Sequence, residues 1–132
     1  MTLKRILGIA AVVEAATGLA LIVDPKLVVE LLLGVYAPWT SLSIGRVAGV
    51  ALLALGISCW PEGGPARTSG AAWRGMLTYN LLVAAYLAYL SAIGGIGGVM
   101  LWPAVALHAL MAAALLWKRA DAMASGPSPR GE

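Results

Sequence analysis

Apolar residues run almost unbroken through four stretches of the chain, 6–23, 42–59, 76–93 and 99–116, and polar or turn-forming residues gather between them. A helix needs roughly 20 apolar residues to cross a hydrocarbon core about 30 Å thick, and each stretch approaches that length. A bilayer core offers backbone groups no water, so a single spanning segment must satisfy its own N–H and C=O groups, which a helix does. The pattern predicts an all-α, integral membrane four-helix bundle. Residues 1–120 form one transmembrane domain, and 121–132, ending in "ASGPSPRGE", form a flexible tail.

The connections carry their own signals. In "DPKLVVELLLG", Asp24 can cap a helix, Pro25 suits its first position and Gly34 can end it. That helix is too short to span, and with Lys26 and Glu30 on it the expectation is a short interfacial helix on the outer surface between spans one and two. The second connection, "PEGGPARTSGAAWRG", reads as a polar loop, and the third, "GGIGG", as a short flexible turn.

Composition strengthens the membrane reading. The 132 residues are 61% hydrophobic and 11% charged, whereas soluble domains carry about 25% charged residues; the mean hydropathy is +0.88. The net charge of +3 does not indicate a nucleic-acid partner, because the basic residues sit at the ends of apolar runs and never form a stripe. They report orientation instead. Lys4, Arg5, Arg67, Arg74, Lys118, Arg119 and Arg130 fall on one side of four alternating spans, and only Lys26 lies in a loop on the other, which places both termini on the cytoplasmic side of a bacterial inner membrane. Trp39, Trp60, Trp73, Trp102 and Trp117 all fall at span ends, where indole rings anchor at the interface. Lys4 and Arg5 before an apolar run also begin a signal peptide, but a run of this length reads as a retained span. Cys59 is the single cysteine, so neither an internal disulfide nor a cysteine metal cluster is possible, and a reduced, buried thiol is expected.

Small residues predict where helices meet. Gly45, Gly49 and Gly56 line one side of the second span, with GxxxG spacing in "GRVAG", and Ala10, Ala11, Thr17 and Gly18 surround Glu14 in the first.

The candidate chemistry lies in a few polar groups within the spans. An ionisable side chain at mid-bilayer costs on the order of 3 kcal/mol on insertion scales, so each needs a partner or a purpose. Glu14 and His108 share a depth near the midplane and can touch if spans one and four pack together. Arg46 lies one turn inside the outer boundary of span two. Asn80 shares its face of span three with Ala84, Leu87 and Ser91, and Tyr79 and Tyr86 line an adjacent face. One reading has these groups satisfying each other, with Glu14 on Arg46 or His108, so that they fix helix register. The other makes Glu14 and His108 a protonatable pair in a cavity. His108 could also ligate haem or a chlorophyll-type pigment, with Ala104 leaving room one turn away in "AVALH"; bis-histidine haem would then require a dimer. Glu14, Tyr79, Tyr86 and His108 together could hydrogen-bond a quinone.

Two family resemblances bear on these readings. "LGIAAVVEAATG" resembles the first helix of the small multidrug resistance transporters, which would make Glu14 the carboxyl that binds cation and proton; Arg46 and His108 would compete there with a cationic substrate. The "LG…G" first helix, the turn in "LIVDPKLVVELLLG" and the glycine-bearing "GRVAGVALLALG" are similar to the DoxX-like group of small bacterial four-helix membrane proteins, some linked to sulfur or quinone redox chemistry. That likeness implies a redox-associated accessory protein and assigns no catalytic residue.

No nucleotide loop, metal-ligand cluster or nucleophile–base motif occurs, so a self-contained enzyme is not expected. The leading expectation is an accessory or structural subunit that packs in the lipid bilayer against another membrane protein or as a homo-oligomer. A small proton-linked carrier built on Glu14, Arg46, Asn80 and His108 is the rival, and a quinone-, haem- or chlorophyll-associated subunit is the third.

Overall fold

A computed structural model describes residues 1–61 and 70–124. The basic residues Arg67 and Arg130, most of the second connection and most of the tail lie outside the described residues.

Thr2 opens the first helix by accepting the backbone N–H of Arg5 at 3.3 Å, which satisfies one of the donors that a helix start leaves unpaired. The helix, α1, runs Leu3–Val23 and ends at Asp24, whose N–H bonds Ala20 O at 2.8 Å. The same Asp24 begins α2, Pro25–Leu33, where its carboxylate accepts the Leu27 N–H at 3.0 Å and Pro25 fills the first position. Gly34 closes α2 at φ 69°, a left-handed conformation that costs a glycine nothing. The short second helix therefore has the start, stop and caps that its sequence predicts. Its exposed Lys26 and Glu30 form an i,i+4 pair at 3.8 Å.

Three long helices complete the described chain: α3, Trp39–Ser58; α4, Gly70–Ala92; and α5, Leu101–Ala124. With α1 they are the four helices long and apolar enough to cross a membrane, so the all-α, four-span architecture holds. Two boundaries differ from the hydropathy reading. α4 begins at Gly70, so residues 70–75 of the expected loop are helical, and α5 continues to Ala124, so 121–124 of the expected tail are helical too. The apolar window registers only the length that lipid can cover. Beyond it α5 is held by a Lys118–Asp121 pair at 2.7 Å, and the start of α4 is held by Trp73, whose indole N–H donates to Leu115 O at 3.1 Å beneath the Arg119 guanidinium, 5.3 Å from the ring centroid.

The helices associate as two pairs, α1 on α3 and α4 on α5, and α1 joins the pairs mainly through α5. The α1–α3 crossing is close because Gly18 faces Gly49. A Cβ built on Gly18 would lie 2.6 Å from Gly49 O and Leu53 N, and one on Gly56 would lie 2.7 Å from Ala11 O. Gly45 sits looser, its nearest neighbour being the Pro25 ring at 3.3 Å. The four glycines expected to mark the packing face all lie on it. At the end of the bundle that holds the N-terminus, Ile6, Leu7, Ala10, Ala11, Cys59, Met76 and Leu115 form a buried apolar cluster. The Cys59 thiol in that cluster is free and donates to Ala72 O at 3.6 Å.

At the opposite end the glycine-rich turn is tethered to α2. Gly98 N–H bonds Leu32 O at 3.0 Å and Met100 N–H bonds Leu31 O at 2.9 Å. These are last-turn carbonyls of α2 with no partner inside that helix. The expectation of a flexible turn is corrected here: Gly98 serves close approach, since a Cβ on it would collide with Leu31 O. Of the tryptophans at span ends, Trp39, Trp60, Trp102 and Trp117 are exposed as interface anchors would be, whereas Trp73 is packed between α4 and α5.

Candidate functional site

The polar groups of three helices meet where the two pairs join. Glu14 comes from the inward face of α1, which also carries the buried Ala10, Ala11 and Gly18. Asn80 comes from the Met76, Asn80, Leu87 stripe of α4, and His108 from α5. Glu14 and Asn80 are each only 1% exposed. Their depth would be untenable in lipid for lone groups, and the contacts between them remove that difficulty.

Asn80 organises the cluster. Its amide nitrogen donates to Met76 O, one turn back on its own helix, at 2.8 Å. This fixes the amide so that Oδ1 points across to His108 Nδ1, 2.9 Å away. An amide oxygen only accepts, so Nδ1 carries the hydrogen of a neutral imidazole and Nε2 holds the free lone pair. Glu14 Oε1 lies 3.8 Å from the same Nδ1, beyond a hydrogen bond but close for two groups in a low-dielectric setting. Tyr79 completes the group: its ring meets the imidazole edge-on with centroids 5.7 Å apart, and its hydroxyl is placed to donate to the Glu14 carboxyl. The other carboxyl oxygen, Glu14 Oε2, is fully buried and has no hydrogen-bond partner among the described residues.

Of the six side chains singled out in the sequence, the fold brings together four: Glu14, Tyr79, Asn80 and His108. Arg46 goes elsewhere. Its Nε donates to Ile22 O at 3.3 Å and its guanidinium lies 5.6 Å from the centroid of the Trp39 ring. Ile22 belongs to the last turn of α1, so Arg46 supplies a donor and a positive charge where that helix presents unpaired carbonyls. Glu14 therefore faces His108, and Arg46 caps α1. Tyr86 does not join either, being 61% exposed. It lies on the same stripe as Tyr79, seven residues on, but α1 meets α4 only over a short stretch.

Magnitudes indicate what such a cluster does for the fold. Interhelical polar contacts in membranes average about 0.6 kcal/mol, while stranding one ionisable group at mid-bilayer costs on the order of 3 kcal/mol. The contacts thus act mainly by excluding arrangements in which Glu14 or His108 faces lipid. Chemically, the group holds a carboxyl with one open oxygen, a phenol, and an imidazole whose Nε2 is the atom able to ligate or accept a proton. Among the described residues no three His, Cys, Asp or Glu side chains are grouped to hold a metal ion.

Sequence reasoning missed the inward role of Trp73, which its position at a span end disguised as an anchor. A second feature that it missed is a groove of about 520 Å³ between the start of α1 and Trp60, to which none of the four clustered residues contributes. The chain matches no protein-family model, no curated protein and no solved structure.

Proposed function

We propose that this chain is a small multi-pass accessory subunit, in which the Glu14–Tyr79–Asn80–His108 cluster locks the two helix pairs together and the outer face of α3 packs against a partner membrane protein or a second copy. The observation that carries this reading is the contrast between the two kinds of surface. The intramembrane polar groups turn toward one another, while α3 has only 11% of its spanning window buried against 33% for α1. Ile44, Val47, Val50 and Ile57 stand out from α3 on the side away from the glycines. The DoxX-like layout of the first half agrees with an accessory role, and the Lys and Arg distribution supports a bacterial inner membrane with both termini cytoplasmic.

Cross-linking in native membranes tests it. Single cysteines at Val47 and Ala51, in a Cys59→Ser background, should give one discrete adduct, and a cysteine at the equally lipid-facing Leu82 of α4 should not. Equal or absent cross-linking at the two faces would remove the subunit reading.

One observation favours a second reading. The buried, unpartnered Oε2 of Glu14 beside an imidazole is what a proton-binding step of a small carrier would use. Glu14→Gln would then abolish proton flux into vesicles reconstituted with the protein. Equal flux for wild type and variant would discard the carrier.

A further inference from the structure

The groove between α1 and the end of α3 is lined by Arg5, Gly8, Ile9, Val12, Val13 and Trp60. The α1 residues follow at i, i+3, i+4, i+7 and i+8, one continuous helical stripe beside the buried stripe of Ile6, Leu7, Ala10 and Ala11. Gly8 keeps the groove open near its floor: a Cβ there would lie 3.3 Å from the Pro61 ring, and no side chain projects into the space. From Arg5 to Val13 the helix rises about 12 Å, close to one leaflet of a hydrocarbon core about 30 Å thick. The walls are apolar along that length. Arg5 stands at the mouth, level with the first turn of α1, and it has no carboxylate partner among the described residues. No acidic side chain lines the groove.

We infer that this groove is a binding site for one anionic phospholipid of the surrounding bilayer, with an acyl chain along Gly8, Ile9, Val12 and Val13 and the headgroup phosphate on Arg5. An empty apolar groove in a membrane forfeits the dispersion contacts of its walls, so something fills it. Its length suits an acyl chain, and its sole charge is a cation of the planar, multi-donor type that matches phosphate oxygens. Trp60 lies at the same level, where an indole ring sits beside lipid headgroups. Lys4 adds a second positive charge next to Arg5 but does not line the groove, which separates a site from a merely basic surface. The inference requires only that the helices lie in lipid, and it is independent of whether the chain is a subunit or a carrier.

Native mass spectrometry of the full chain, released from bilayers of phosphatidylcholine mixed with phosphatidylglycerol of identical acyl chains, reads occupancy directly. The wild type should retain one phosphatidylglycerol in preference to phosphatidylcholine. Arg5→Gln should lower that preference about fivefold, the effect of one basic residue at an anionic surface, and Lys4→Gln by distinctly less. Val12→Trp, which fills the groove from an outward-facing position, should lower retention of either lipid, with circular dichroism confirming that the helices persist. Equal losses for Arg5→Gln and Lys4→Gln would show only surface charge and overturn the inference. So would retention without headgroup preference, or a second copy or another protein cross-linking through Ile9 or Val12 in place of lipid.

Discussion

The close α1–α3 crossing makes opposite predictions for the same substitution at two glycines. In Gly18→Ala the added methyl would lie 2.6 Å from Gly49 O and Leu53 N, where ordinary contact begins at 3.4 Å, so the helices must part by about 0.8 Å. Both obstructing atoms are backbone and cannot rotate aside. Overpacking of this kind costs about 1–3 kcal/mol. Against it stands the better helix propensity of alanine, worth up to about 1 kcal/mol. Gly75 on α4 has nothing within 4 Å of its Cβ position, so Gly75→Ala receives the propensity gain alone. Propensity cancels when the two variants are compared, leaving Gly18→Ala less stable than Gly75→Ala by about 1–3 kcal/mol. Reversible unfolding of the purified chain in mixed detergent micelles, followed by circular dichroism, measures that difference. A Gly18→Ala variant as stable as Gly75→Ala would mean that the backbones do not meet at Gly18 and Gly49, and the pairing of α1 with α3 would have to be abandoned.

Asn80→Leu removes the acceptor of the His108 N–H and should cost about 1–2 kcal/mol in the same assay, whereas a stabilised variant would show that the 2.9 Å contact does not hold the pairs together. Asp24→Ala loses the cap on the Leu27 N–H, which is worth about 1 kcal/mol locally; amide exchange should quicken across the start of α2 and leave α4 unchanged. Gly98→Val cannot keep its backbone against Leu31 and Leu32, so exchange should quicken at Gly98 and Met100, and unchanged protection there would refute the docked turn.

The sequence by itself determined the features that depend on local physics. Four apolar runs of bilayer length require four helices, Asp24, Pro25 and Gly34 delimit α2, and Gly18, Gly45, Gly49 and Gly56 mark the contact face, because length, capping and the absence of a side chain are properties of the chain alone. The depths of Glu14 and His108 followed from counting residues. What depended on tertiary structure was the choice among partners at similar depth. Glu14 faces His108 at 3.8 Å and leaves Arg46 to the end of α1, Asn80 bridges to the imidazole, and Trp73 turns inward under Arg119. These choices turn on how each helix is rotated and which neighbour it meets, and adjacent residues on a helix differ by about 100° in direction. Tyr79 and Tyr86 occupy one stripe and have different surroundings, since only the first lies where α4 meets α1 and α5. Sequence periodicity encodes which face a helix turns inward, but the other helices decide how far along its length that face is covered.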